Sequence, residues 1–188
     1  HQLERLGSGT RVHLLLTPRN LGMQESGNVI ADVAGTDPSA GMVVAACHLD
    51  SWDLGTGAID DAAGCGIIMA AARRVAEVHR PRRTIRLLMA GAEEIGVFGG
   101  AAYGTAHARD HHAVALESDF GAGRVWRVDF RLPQPATPLA NRITRALSPL
   151  GIGRGPGEAG GGADIGALAQ AGVPLVDLQQ DGTRYFDL

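Results

Sequence analysis

Two apolar runs, Met42–His48 (MVVAACH) and Thr84–Ala90 (TIRLLMA), stand on either side of a segment with helical periodicity. A run that is apolar almost throughout is what a strand needs when both its faces are covered. Between the runs, Ile67, Ile68, Ala71, Ala72, Val75 and Val78 recur at helical spacing over residues 61–79. Arg73, Arg74 and Glu77 take the opposite face, and Pro81 closes the helix. Such an alternation joins neighbouring parallel strands. The same logic predicts a short helix over 98–107, a strand from 113 to 116 and another over 125–130. An amphipathic helix is expected over 138–150, where Leu139, Ile143 and Leu147 lie four apart. Residues 151–162 hold seven glycines and read as a flexible loop, followed by a short helix over 164–171 and a final strand over 174–178. Ahead of all this, residues 11–17 (RVHLLLT) and 28–33 (NVIADV) read as strands, with turn chemistry at 35–41. The first three strands are therefore expected to form a meander. The predicted fold is α/β, a mixed and mostly parallel sheet sandwiched by helices, in one domain over residues 1–188.

A chain of 188 residues that is 45% hydrophobic has enough apolar mass for one core. A formal charge of −3 carries no signature of nucleic-acid or membrane binding, and no apolar run approaches the roughly 20 residues that span a bilayer. Two cysteines, Cys47 and Cys65, are too few for a disulfide framework and read as small buried hydrophobes, which leaves the redox compartment open.

The chemistry concentrates in residues 46–64 (ACHLDSWDLGTGAIDDAAG). His48 and Asp50 alternate, so on a strand they share a face, and Asp60 and Asp61 stand where a helix begins. Ligands of open α/β sheets lie at the carboxyl ends of the strands. His48 follows MVVAAC, Glu93 and Glu94 follow TIRLLMAGA, and Asp119 follows AVALES, while Asp60 precedes a helix that packs back on the sheet. Four segments thus send a histidine or carboxylates to one edge. Carboxylates so close disfavour one another's ionisation, and a divalent cation relieves that repulsion. Zinc takes imidazole and carboxylate ligands, and two ions roughly 3.5–4 Å apart can share one bridging carboxylate. The candidate metal ligands are His48, Asp60, Glu94 and Asp119, with Glu93 as a general base and Asp50 holding the other ring N–H of His48. Singly, each has a plain structural reading: an N-cap for Asp60, a solvated pair for Glu93 and Glu94, a packed imidazole for His48, a turn residue for Asp119. Their convergence is what points to a metal site.

These residues also carry a family resemblance. HLDSWDLGTGAIDDAAG, AEEIGVFGGAAY, ESDFG and GADIGALAQAGVPLVDLQQDGTRYFDL resemble the co-catalytic di-zinc aminopeptidase family, on the plasma glutamate carboxypeptidase branch with its bacterial relatives. The likeness covers roughly residues 42–120 and 160–188. It implies a sheet sandwiched by helices, and a metallo-exopeptidase that cleaves terminal bonds of small peptides with two zinc ions and a bridging water. By position, His48 and Asp119 hold one zinc, Glu94 part of the other, and Asp60 bridges them; Glu93 is the base and Asp50 supports His48. Asp164 resembles a family acid close to the active site, although GGAD equally fits a loop-to-helix cap. Tyr185 and Phe186 either fill a core edge or contact substrate. The family's fifth ligand is a histidine expected beyond Leu188; His79, His107, His111 and His112 fall at the wrong ends of their elements to replace it. The chain accordingly reads as a fragment of a longer catalytic domain, secreted or periplasmic by resemblance only. Two alternatives share the fold: a single-zinc glutaminyl cyclase, which the paired DDAAG disfavours, and an inactive binding module, which the presence of Glu93 and four ligands disfavours. Which peptide end is trimmed, which side chain is preferred and the oligomeric state are not legible in the sequence.

Overall fold

β2 (Met42–His48) is the axis of a seven-stranded sheet. It runs parallel to β3 (Thr84–Ala90) on one side and to β4 (His112–Glu117) on the other. β1 (Val29–Val33) lies antiparallel outside β3; beyond β4 come β7 (Leu175–Gln180), β5 (Val125–Arg131) and the two-residue β6 (Gly153–Arg154). Only the β1–β3 and β5–β7 pairs are antiparallel, so the sheet of this computed structural model, which describes residues 5–183 and 185, is mixed and mostly parallel.

α1 (Ala62–Val78) leads from β2 to β3, and α2 (Phe98–Ala106) from β3 across to β4 on the far side of β2. Right-handed crossovers heading in opposite directions must lie on opposite faces of the sheet. Packing follows that rule. Ala45, Cys47 and Leu87 turn toward Cys65, Ile68 and Ala72 of α1. The alternate residues Val44, Ala46 and Leu88 turn the other way, against Tyr103 of α2 and Leu168 of α4 (Gly166–Gln170). A third cluster joins Val128 and Phe130 to Ala140 of α3 (Thr137–Leu147). Gly100 lets α2 come close to the loop before α4, since a Cβ there would collide with the main chain of Asp164.

Four expectations need correction. Residues 11–17 form no strand, and Leu14, Leu15 and Leu16 are exposed. A strand needs a neighbour for its N–H and C=O groups, and among the described residues none pairs with this run. The first strands form no meander either: β1 pairs with β3, where Asp32 stands opposite Arg86 and bonds it at two points, 2.9 and 2.8 Å. That places β1 at the edge and leaves both sides of apolar β2 free for parallel partners. Cys47 and Cys65 are buried as expected, yet they form a disulfide, because the end of β2 packs on the first turn of α1. Finally, α3 ends at Leu147 and Ser148–Leu150 continues as a 3-10 turn, while the glycine-rich loop contributes β6.

Candidate metal centre

Because β3, β2 and β4 are adjacent and parallel, their carboxyl ends lie side by side. The strand order reverses between β2 and β4, the kind of crevice where open α/β sheets bind ligands. His48 closes β2 and is 1% exposed. Its Nε2 lies 2.9 Å from Asp60 Oδ1, at the head of α1, and 3.4 Å from Asp119 Oδ1, just past β4. Two sets of donor atoms, each within 4.8 Å of one another, share this imidazole: His48 with Asp60 and Glu94, and His48 with Asp61 and Asp119. The three candidate carboxylates, Asp60, Glu94 and Asp119, therefore meet at the His48 ring. Asp61, read from sequence only as a helix start, joins them. Its carboxylate also accepts the main-chain N–H of His48 at 3.1 Å and of Gly64 at 3.2 Å, which caps α1 and ties it to the end of β2.

Asp50 is placed differently from the expectation. His48 Nδ1 lies 3.0 Å from the main-chain carbonyl of Asp50 and 3.8 Å from its Oδ1. The Asp50 carboxylate instead accepts the main-chain N–H groups of Glu93, at 2.9 Å, and Glu94, at 3.2 Å. It pins the turn after β3 against the end of β2. Residue alternation along one strand carries no information about a bond to the next strand's loop.

Burial and mutual charge set the proton affinities of the cluster. Burial depresses the basicity of His48, but the hydrogen bond and charge of Asp119, aided by Asp61 and Glu93, outweigh it and raise the imidazole to about 10. Burial also pushes Asp61 up to about 7, and it raises Glu93 and Glu94, with neighbouring carboxylates adding to the effect. Groups that hold protons so tightly form a site where a cation displaces them. One imidazole among carboxylates is a donor set that suits zinc.

A line of acids continues behind Glu93. Asp164 is 1% exposed, and neither of its carboxylate oxygens has a hydrogen-bond partner among the described residues. Burial, then the charge of Glu93, raises it to about 7. No side chain caps α4, so the loop-to-helix cap reading of Asp164 does not hold. Glu117, which sequence reasoning passed over, accepts the Ile165 N–H at 3.0 Å through Oε2 and leaves Oε1 unpartnered. Burial, then the charge of Asp164, raises it to about 8. Its only signal in the sequence was its place two residues before Asp119. Tyr185 stacks on Phe120 with centroids 4.8 Å apart and hydrogen-bonds Asp60; Phe186 lies outside the described residues. Three of the histidines weighed as replacement ligands are placed elsewhere: His112 on the Tyr103 hydroxyl, His107 on Asp110, and His79 at the C-terminal end of α1. His111 sits exposed beside the start of β2.

Comparison with known proteins gives the family and the fold. Peptidase family M28 matches residues 28–186. Carboxypeptidase Q of Rattus norvegicus is 32% identical over 178 residues, 93% of this chain and 38% of that protein. The crystal structure of a Peptidase M28 precursor from Shewanella amazonensis SB2B is similar at 43% identity with a TM-score of 0.81, covering 85% of this chain and 37% of that one. BSAP, a zinc aminopeptidase from Bacillus subtilis, shares the fold at 18% identity and a TM-score of 0.64, over 84% of this chain and 40% of that one. The chain thus spans less than two-fifths of the length of the curated relative, at 38%.

Proposed function

The chain belongs to peptidase family M28, and from that premise we propose that it carries the catalytic face of a zinc-dependent exopeptidase acting on small peptides. The observation that supports this most is the meeting of Asp60 and Asp119 at His48 Nε2, with Glu93 anchored beside them through Asp50. His48, Asp60, Glu94 and Asp119 would hold zinc, two ions in the whole enzyme, with a further ligand from outside these residues. When bound, zinc supplies Lewis-acid polarisation of the scissile carbonyl. The Glu93 carboxylate, its proton affinity raised by burial and by nearby carboxylates, takes a proton from the attacking water and returns it to the leaving amine. Asp119, Glu94 and Asp50 add the negative charge that, with burial, raises the proton affinity of Glu93. The Tyr185 hydroxyl orients Asp60 from the substrate side. The Cys47–Cys65 disulfide supports an oxidising compartment, secreted or periplasmic.

The test is a panel of unblocked peptides incubated with the zinc-loaded full-length enzyme and read by product mass. Stepwise loss of terminal residues is expected. Internal cleavage, or none, ends this reading.

A further inference from the structure

Next to the metal centre lies a second set of donor atoms that the proposed mechanism does not use. The sulfurs of Cys47 and Cys65 and a carboxylate oxygen of Asp61 all lie within 4.8 Å of one another. Cys47 precedes His48 in β2, Cys65 sits in the first turn of α1, and Asp61 caps that helix. All three are buried, at 0%, 6% and 1% exposure. In the oxidised chain the two sulfurs are bonded to each other.

Reduction changes what they can bind. A phosphine reductant gives two electrons to the S–S bond and takes up the oxygen of one water, whose two protons leave two thiols behind. A divalent cation then displaces both thiol protons and gains two sulfur ligands. We propose that the reduced chain holds a thiophilic divalent cation, zinc among them, between Cys47, Cys65 and Asp61, in a site that the disulfide closes. Nothing in this site depends on peptide hydrolysis. Thiolates are soft ligands and select ions of the zinc type over magnesium or calcium. Two sulfurs roughly 2.3 Å from one tetrahedral ion stand about 3.8 Å apart. Side chains whose Cα atoms are 5.2 Å apart reach that spacing by rotation. The 17-residue helix α1 presents its N-terminal end here, and its dipole favours the negative charge of the ligands. The main-chain N–H groups of His48 and Gly64 hold the Asp61 carboxylate in place. The main-chain oxygen of His48, 3.2 Å from Cys65 Sγ, offers a fourth donor. Ala45, Ile68, Ala72 and Leu87 pack with the two cysteines and keep water away. Asp61 also belongs to the group formed with His48 and Asp119, so ions at the two places draw on one carboxylate. The disulfide thereby confines cations of the oxidised chain to the His48 edge.

Cobalt(II), added to the full-length protein either oxidised or reduced with tris(2-carboxyethyl)phosphine, tests this. Cobalt on thiolate absorbs strongly in the near ultraviolet by sulfur-to-metal charge transfer; cobalt on imidazole and carboxylates does not. The band is expected in the reduced protein and not in the oxidised one, and reduction should add about one zinc equivalent per chain. Cys65→Ser should remove most of the band, and Asp61→Asn should weaken cobalt affinity about tenfold. A reduced, folded protein with both thiols titratable and no band overturns the proposal. So does a band of equal strength in the oxidised protein, or one that survives in urea, where the thiols belong to a disordered chain. Loss of the native circular dichroism on reduction that neither cobalt nor zinc restores overturns it as well.

Discussion

The carboxylate of Asp50 accepts the main-chain N–H of Glu93 at 2.9 Å, so a residue just past β2 fixes the position of the proposed general base after β3. The same carboxylate takes the Glu94 N–H at 3.2 Å. Asp50→Ala should therefore loosen both residues at once. Zinc affinity and kcat/KM are each expected to fall about 10–100-fold, with Asp50→Asn intermediate because its amide oxygen still accepts one bond. Chelator competition and steady-state kinetics check this; losses under twofold in both would show that the anchor is dispensable.

Glu93→Gln removes a proton acceptor while keeping shape and the main-chain bond to Asp50. Turnover should drop by about 10²–10⁴-fold with zinc content unchanged. Metal analysis alongside kinetics separates a lost base from a lost ligand. Activity within tenfold of wild type would take the role of base away from Glu93.

The disulfide joins residues 18 apart and ties the end of β2 to the first turn of α1. Closing a loop of that length contributes about 3 kcal/mol in the chain-entropy account. The Cys47→Ala/Cys65→Ala variant should lose a comparable amount in urea unfolding of the zinc-free protein. Equal stability with and without the bridge would contradict the pairing.

Glu117, Asp164 and Asp61 reach about 8, 7 and 7 in the folded chain, against ordinary values of 4.5, 3.8 and 3.8. Folded protein therefore keeps protons that unfolded protein has released. Their stabilising contribution is complete below about pH 4 and disappears as pH rises through 7 to 8. His48 acts in the same direction, its contribution complete below 6.5 and lost as pH passes about 10. Scanning calorimetry of the metal-free protein should show Tm falling from pH 5 to pH 8. Zinc should flatten that slope by taking the place of protons, and Glu117→Gln should flatten it without zinc. A metal-free Tm that rises over this range would refute the coupling.

β2 and β3 were legible to the residue, since an unbroken apolar run records burial on both faces, and α1 was legible from its period. The convergence of His48, Asp60, Glu94 and Asp119 followed from strand order logic, because parallel strands deliver their carboxyl ends to one edge. Burial of a face is a local property, and the chain itself writes it in residue spacing. Partner choice is not local. The pairing of β1 with β3, the missing strand at 11–17, the Cys47–Cys65 bond, the reach of Asp50 to Glu93 and the burial of Glu117 against Asp164 all depend on which segments come to rest beside one another. Only the folded structure decides that, because hydrogen bonds, disulfides and charge interactions act across a few ångströms of space, whatever the separation along the chain.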